Sequence, residues 1–112
     1  MTKADSPLPP HWFQILLALG NRDLHGLGIM NDVLAQTGGQ MRLWPAVLYR
    51  NLARLTAAGL VEEIDQPSTA EPGGGRPRFY RITRAGRRAC GLEAERLAGF
   101  VQIARRKKLL KA

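Results

Sequence analysis

Two pairs of arginines in this sequence stand where their side chains could contact an anionic partner. Arg50 and Arg54 lie in the segment WPAVLYRNLARL, which begins at Trp44 and contains no acidic residue. Arg76 and Arg78 follow three glycines in the segment GGGRPR. Guanidinium groups bind phosphates and the acceptor atoms of guanine, so both pairs indicate recognition of a nucleic acid.

The first of these segments has the pattern of an amphipathic helix. Pro45 suits the first turn of a helix, and Leu48, Leu52 and Leu55 fall on one narrow seam at about 100° per residue. The remaining surface is predicted to face DNA, with the contacts made by Ala46, Val47, Tyr49, Arg50 and Arg54. The alternative is an ordinary solvated helix with Tyr49 packed against its own edge.

The glycine-rich segment is predicted to be a loop between two strands. Residues 66–77 are rich in Pro and Gly, whereas residues 60–64 and 79–82 have the apolar and alternating patterns of short strands. We expect Arg76 and Arg78 at the tip of this loop to reach the DNA backbone or minor groove. A plain flexible linker is the alternative. The glycines do not form the phosphate-binding pattern G-x-x-x-x-G-K-[ST].

The charge distribution supports an anionic partner. The chain of 112 residues has a net charge of +8 and a pI near 10.8. Twelve of its basic residues, against two acidic ones, lie from Arg76 onward. This asymmetry favours double-stranded DNA first and an anionic membrane surface second.

Cysteine usage and hydropathy indicate a cytoplasmic protein. Cys90 is the single cysteine, so no intrachain disulfide can form, and we expect it to be a small core or interface residue. The amino end has no signal-peptide pattern, and no apolar run approaches the roughly 20 residues that a membrane span requires. We therefore predict no membrane partner.

Catalytic and metal sites are not predicted. His11 and His25 are the two histidines, and no spacing of His and Cys residues is suited to zinc. We expect them to make local hydrogen bonds or to be partly buried. The acidic residues show no convergence on a nucleophile, so the sequence predicts neither an enzyme nor a cofactor.

The predicted element order is three helices, a hairpin and a final helix. The helices are expected from Pro10 to about Leu19, from about Gly26 to Thr37 and from Pro45 to about Ala58. A turn, NRDLHG, is expected before the second helix, whose inward residues are predicted to be Leu27, Met30, Val33 and Leu34. Thr83 is predicted to cap a last helix that runs to about Leu110. This order gives a mainly α fold with a small two-stranded β-hairpin, which is the layout of a winged helix-turn-helix followed by a carboxy-terminal dimerisation helix. The expected divisions are a flexible arm at 1–9, the winged domain at 10–83 and the dimerisation helix at 84–112.

The last helix carries more apolar residues than a lone surface helix needs. This excess predicts packing against a second protomer to form a homodimer. The predicted interface consists of Trp12, Leu92, Leu97, Phe100, Val101 and Ala104. The basic run ARRKKLLK near the end of the chain is expected to be a solvated charge cluster or a helix terminus.

Three motifs together resemble the PadR family of bacterial transcription regulators: LHGLGI, LYRNLARLTAAGLVEE and GRPRFYRITRAGRRA. The resemblance extends from about Leu16 to Gly91. It implies a winged helix-turn-helix that dimerises through its terminal helices and represses transcription until an effector releases it. It also implies groove or backbone contacts by Tyr49 and Arg50 and wing contacts by Arg76 and Arg78.

The sequence departs from this family at several positions. Leu27 stands where a tyrosine is common, and Trp44 replaces a residue like Ser at the start of the third helix, so a side-chain cap is lost. The last helix has no Trp, which does not favour an aromatic drug-binding slot. The chain lacks the large carboxy-terminal domain of longer members, so a small-molecule effector is expected to bind at the dimer interface or not at all.

The resulting hypothesis is a homodimeric repressor that binds a pseudo-palindromic operator. A second hypothesis, from another class, is a protein-interaction adaptor that keeps the winged helix without specific DNA binding. A small RNA-binding protein would fit the charge, but aromatic residues make up only 6% of the chain and form no evident stacking platform.

Overall fold

The computed structural model describes residues 7–65 and 78–111 and contains four helices and three strands within those ranges. In chain order the elements are α1 (Pro10–Ala18), β1 (Leu24–His25), α2 (Gly26–Gln36), α3 (Pro45–Ala57), β2 (Val61–Ile64), β3 (Phe79–Ile82) and α4 (Arg84–Arg106). The predicted order of helices and strands is confirmed, with one added strand.

The added strand corrects the prediction of a two-stranded hairpin. The sheet is antiparallel with the order β1-β3-β2, and Leu24 of β1 lies opposite Tyr80 of β3. The sequence predicts a turn here, since two residues are too few to show a strand period. The strand forms because Leu24 and Tyr80 are both buried on the same face of the sheet.

The core lies between the helices and one face of the sheet. The predicted seam of α3 is confirmed, because Leu48, Leu52 and Leu55 are at most 1% exposed. The prediction for α2 was wrong at Leu27, which was expected inside but is 58% exposed. Ile29 is fully buried instead and sets the phase of the helix, and Leu27 lies nearly opposite it at about 100° per residue.

The end of α3 and the start of α4 are held together at Thr83. Gly59 ends α3 with a φ of +79°, and the N–H of Leu60 donates to the carbonyl of Leu55 at 3.0 Å. The Thr83 hydroxyl donates to the Gly59 carbonyl at 2.7 Å and accepts from the Gly86 N–H at 3.0 Å. The predicted cap at Thr83 is therefore confirmed, and it also fixes the turn before β2.

Both ends of the described chain differ from the expectations. The last helix ends at Arg106 rather than near Leu110. It stops there because Lys108 takes a φ of +60° and the Leu109 N–H donates to the Ala104 carbonyl, which turns the chain out of the helix. In the segment 1–9, predicted as a flexible arm, residues 1–6 lie outside the described ranges. Leu8 is buried in the core, so the prediction of a loose arm fails at that residue. Within the described residues, no helix is both long and apolar enough to cross a membrane.

Candidate nucleic-acid interface

One side of α3 is exposed and carries most of the residues that the sequence singled out. Ala46, Tyr49, Arg50 and Arg54 are all exposed on this side. Val47 is different, because it is partly buried and packs against the core. The buried leucine seam thus fixes the orientation of α3, and the face that remains exposed has no acidic side chain.

The two arginines of this face are available to a partner. Within the described ranges, neither Arg50 nor Arg54 forms an ion pair, whereas Arg22, Arg78, Arg81 and Arg96 each pair with a carboxylate. A guanidinium that has no carboxylate partner can bind phosphate or a base edge without first breaking an ion pair.

The start of α3 has no side-chain cap, as the sequence predicted. Trp44 holds the N-cap position with extended backbone and makes no capping hydrogen bond. Its ring is 63% exposed, and the guanidinium carbon of Arg42 lies 5.5 Å from the ring centroid. An aromatic ring and a cation therefore stand together beside the exposed face of α3.

Tyr49 is positioned by a glycine from another motif. Its ring stands over Gly26, the first residue of α2, and a Cβ atom at that position would overlap the phenol oxygen. The glycine of the LHG motif therefore makes room for the tyrosine of the LYR motif. The sequence gives no sign of this contact, because the two residues are 23 positions apart and belong to separate motifs.

His25 has a structural role, as expected. Its Nδ1 accepts from the Gly28 N–H at 3.2 Å and caps α2, and its ring stacks on Phe79 with centroids 5.4 Å apart. These contacts hold β1 against β3 and so fix the start of α2, where Tyr49 is seated. The expectation of local hydrogen bonding is confirmed for this histidine.

A shallow groove separates α3 from the β2–β3 edge. It is lined by Tyr49, Leu52, Ala53, Thr56, Ala57, Glu63, Arg78 and Tyr80. Arg78 pairs with Glu63 at an N–O distance of 3.6 Å. Burial raises the pKa of Tyr80, and the charge of Glu63 raises it further, while Arg78 opposes the shift. Arg76, the other predicted wing residue, lies outside the described ranges.

No second kind of site emerges from the titratable residues. Among the described residues, no group of His, Cys, Asp and Glu side chains could hold a metal ion. Cys90 is buried in the core, as predicted, and burial raises the pKa of its thiol, with the charge of Glu93 adding to that shift. A thiol in this setting stays protonated and unreactive at neutral pH.

The match to a protein family decides what kind of protein carries this arrangement. The model of the transcriptional regulator PadR-like family matches residues 15–91, well over half of the chain. The chain belongs to the PadR-like family of transcriptional regulators. The resemblance drawn from the three motifs is thereby confirmed, and members of this family are regulators rather than enzymes.

Solved structures of other regulators have the same fold. A transcriptional regulator from Clostridium thermocellum is 23% identical, with 89% of each chain covered and a TM-score of 0.69. A PadR-family regulator from Clostridium difficile is 17% identical, with 85% of this chain and 94% of that chain covered and a TM-score of 0.70. These similarities confirm the winged-helix fold for the PadR-like chain. A comparison with curated proteins gives no sequence match.

Bacillus subtilis PadR in complex with operator DNA is a third structural relative. It is 19% identical, with a TM-score of 0.63. The similarity covers 74% of this chain and 46% of that one, so the PadR-like chain corresponds to less than half of the Bacillus protein.

The last helix of this PadR-like chain extends beyond the body of the domain. Its first half buries Gly86, Ala89, Cys90 and Glu93. The same stripe continues at about 100° per residue into Leu97, Phe100, Val101 and Ala104. The first three of these are 38 to 55% exposed and Ala104 is half-buried. The apolar stripe thus continues past the end of its own core.

Two other residues predicted for the dimer interface lie elsewhere. Leu92 is 42% exposed and lies about a third of a turn around α4 from the stripe, and Trp12 of α1 is partly buried against the core. Arg96 flanks the stripe, with its guanidinium carbon 5.4 Å from the centroid of the Phe100 ring. The geometry therefore brings four of the six predicted interface residues onto one surface and separates Leu92 from them.

Proposed function

We propose that this chain is a sequence-specific DNA-binding transcription regulator that acts as a homodimeric repressor on a pseudo-palindromic operator. The observation that carries the proposal is the exposed face of α3, which presents Arg50 and Arg54 and contains no acidic residue, while the buried leucine seam holds the helix to the core. In a winged helix-turn-helix, this helix is the one that enters the major groove.

The contacts in the proposed complex follow from the chemistry of each side chain. Arg50 and Arg54 bind guanine edges or phosphates, and Ala46 offers a methyl group to thymine. Tyr49 donates to a phosphate oxygen, and Arg78 binds the backbone beside the groove. Val47 contributes less, because its side chain is already packed against the core. The structure of Bacillus subtilis PadR in complex with operator DNA supports this use of the fold.

The apolar stripe of α4 supports the dimer. Its exposed residues recur with helical spacing: Leu97, Phe100, Val101 and Ala104. Removing apolar surface from water stabilises an interface by about 25 cal/mol for each Å² buried. In the proposed homodimer the stripes of two protomers pack together, and the two α3 helices read two half-sites. Two half-sites one helical turn apart would be separated by about 10 base pairs from centre to centre. The dimer interface is also the place where a small-molecule effector would act on DNA affinity.

Binding to the DNA upstream of its own gene is the direct test. We expect the purified protein to shift this DNA at lower concentrations than unrelated DNA of equal length, with affinity falling steeply as salt rises. Each phosphate contact should contribute about −0.9 to the slope of log K against log salt. Sequencing the fragments that the protein retains from genomic DNA would define the operator. Equal affinity for all fragments, with no dependence on salt, would instead favour a protein-interaction adaptor.

A further inference from the structure

We propose that Glu63 competes with DNA phosphates for the guanidinium of Arg78 and thereby lowers the affinity of the interface for DNA. The inference rests on the proposed DNA-binding function and assigns a role to a residue outside the predicted DNA contacts. In the free protein Arg78 is held by this carboxylate, and in the complex it must exchange the carboxylate for a phosphate.

The geometry places Glu63 inside the surface proposed to meet DNA. Its Cα lies opposite Tyr80 in the β2–β3 register, so its side chain is on the face of the sheet that borders α3. Together with Tyr49 and Arg78 it lines the groove between α3 and the sheet. Among the residues that line this groove, Glu63 is the acidic one.

The ion pair between Arg78 and Glu63 is weak enough for Arg78 to exchange the carboxylate for a phosphate. The N–O distance is 3.6 Å, and the side chains of Arg78 and Glu63 are 69% and 47% exposed. Pairs this exposed contribute little to stability, so Arg78 can turn to a phosphate at small cost. The exchange leaves an unpaired carboxylate beside the phosphate backbone, which repels it. Burial, and after it the charge of Glu63, raise the pKa of Tyr80, which lines the same groove.

The neighbouring Glu62 provides a matched control. It lies opposite Arg81 in the register and therefore on the other face of the sheet, where Arg81 already pairs with Asp23 at 2.8 Å. Glu62→Gln and Glu63→Gln remove the same charge from adjacent exposed positions. They differ in whether that charge faces the groove.

The experiment compares the two variants on one mixed-sequence DNA duplex, since contacts to phosphate do not depend on base sequence. We expect Glu63→Gln to bind about three- to tenfold more tightly than the wild type at low salt, with a smaller gain at high salt because screening weakens the repulsion. Glu62→Gln should stay within about twofold of the wild type. Arg78→Gln should bind more weakly. Adding Glu63→Gln to it should give a smaller gain than in the wild type, because repulsion of the phosphates is still relieved while competition for Arg78 is already absent.

The possible results distinguish a failure of the role proposed for Glu63 from a failure of the proposed DNA-binding function. A wild-type protein that binds neither this duplex nor its own upstream DNA overturns both. A wild-type protein that binds, with Glu63→Gln no tighter, overturns the role of Glu63 and leaves the DNA-binding function standing. A gain that persists in full in the Arg78→Gln background overturns the competition, because the carboxylate would then act without Arg78. Thermal unfolding of each variant checks that the fold is retained.

Discussion

The Cα of Gly86 faces the carbonyl oxygen of Leu60 so closely that a Cβ atom on Gly86 would overlap that oxygen. The first turn of α4 therefore rests directly on the backbone that joins α3 to β2. The Leu60 carbonyl belongs to the backbone and also accepts a hydrogen bond from the Thr83 N–H at 3.1 Å, so moving it would cost free energy.

We expect Gly86→Ala to lower the free energy of unfolding by about 1–3 kcal/mol, the usual cost of forcing an extra carbon into a packed site. Gly91→Ala is the control, since it lies in the same helix with no atom near its missing Cβ. It should raise stability by about 0.5–1 kcal/mol because Ala is the better helix former. Urea unfolding measures both, and equal effects would contradict the close contact at Leu60.

A second glycine should behave differently. Gly26→Ala meets the phenol end of Tyr49, a side chain that is 46% exposed and whose far end can shift toward solvent. We expect stability to change by less than about 1 kcal/mol, while Tyr49 is displaced from the proposed interface. DNA affinity should fall as far as in Tyr49→Ala, and the double variant should be no weaker than either single one. Wild-type affinity in Gly26→Ala alongside a loss in Tyr49→Ala would refute this coupling.

Arg50 should carry specificity if it reads a base. Arg50→Ala is expected to weaken binding to the operator by about 1–3 kcal/mol and to reduce discrimination against altered operators. Arg22→Ala is the control, because Arg22 pairs with Asp32 at 3.2 Å and is not part of α3. Fluorescence anisotropy on operator variants measures both. A uniform loss on every sequence, with a smaller salt slope, would assign Arg50 to a phosphate instead.

The stripe on α4 should control the oligomeric state. Leu97→Glu places a charge at the centre of the exposed stripe, and we expect the protein to become monomeric and to lose most of its operator affinity. Gln102→Glu is the control, since Gln102 is also exposed on α4 but lies on the far side of the helix from the stripe at about 100° per residue. Analytical ultracentrifugation distinguishes them. A Leu97→Glu protein that remains dimeric would rule out dimerisation through this stripe.

Acid should weaken the attachment of the amino-terminal segment. Glu93 is buried and accepts hydrogen bonds from Arg96 Nε at 3.0 Å and from the Leu8 N–H at 3.3 Å. The hydrogen bond from Arg96 lowers the pKa of Glu93 below its ordinary value of 4.5; the Leu8 N–H and the charge of Arg96 add to this, and burial opposes it. A carboxylate whose pKa is lower in the folded than in the unfolded protein stabilises the fold at pH values above its unfolded-state pKa. This contribution is lost as the pH falls through the folded-state pKa.

The stability lost in Glu93→Gln should therefore be greatest above the ordinary pKa of a glutamate and should shrink as the pH falls below it. Thermal unfolding across this range measures the difference from the wild type. Glu95→Gln, at an exposed position on the same helix, is the control and should follow the wild-type profile. A loss in Glu93→Gln that does not vary with pH would show that the ionised carboxylate is not the stabilising form.

Local patterns determined much of this protein. The leucine seam of α3, the cap at Thr83 and the order of the helices and the two longer strands depend on near neighbours in the chain, and periodicity and capping report such neighbours directly. The three motifs and the excess of arginines likewise identified a PadR-like regulator from the sequence itself. The orientation of Leu27 was missed, because several apolar residues in α2 allowed more than one phase.

Tertiary structure alone decided which distant residues meet. The third strand exists because Leu24 docks against Tyr80, Tyr49 is seated because Gly26 lacks a side chain, and Glu63 reaches Arg78 across the β2–β3 pair. None of these pairs has a fixed spacing in the sequence, because the number of residues between the two partners depends on the lengths of the intervening loops and elements. Such contacts depend on how completed helices and strands pack together, which local patterns do not record.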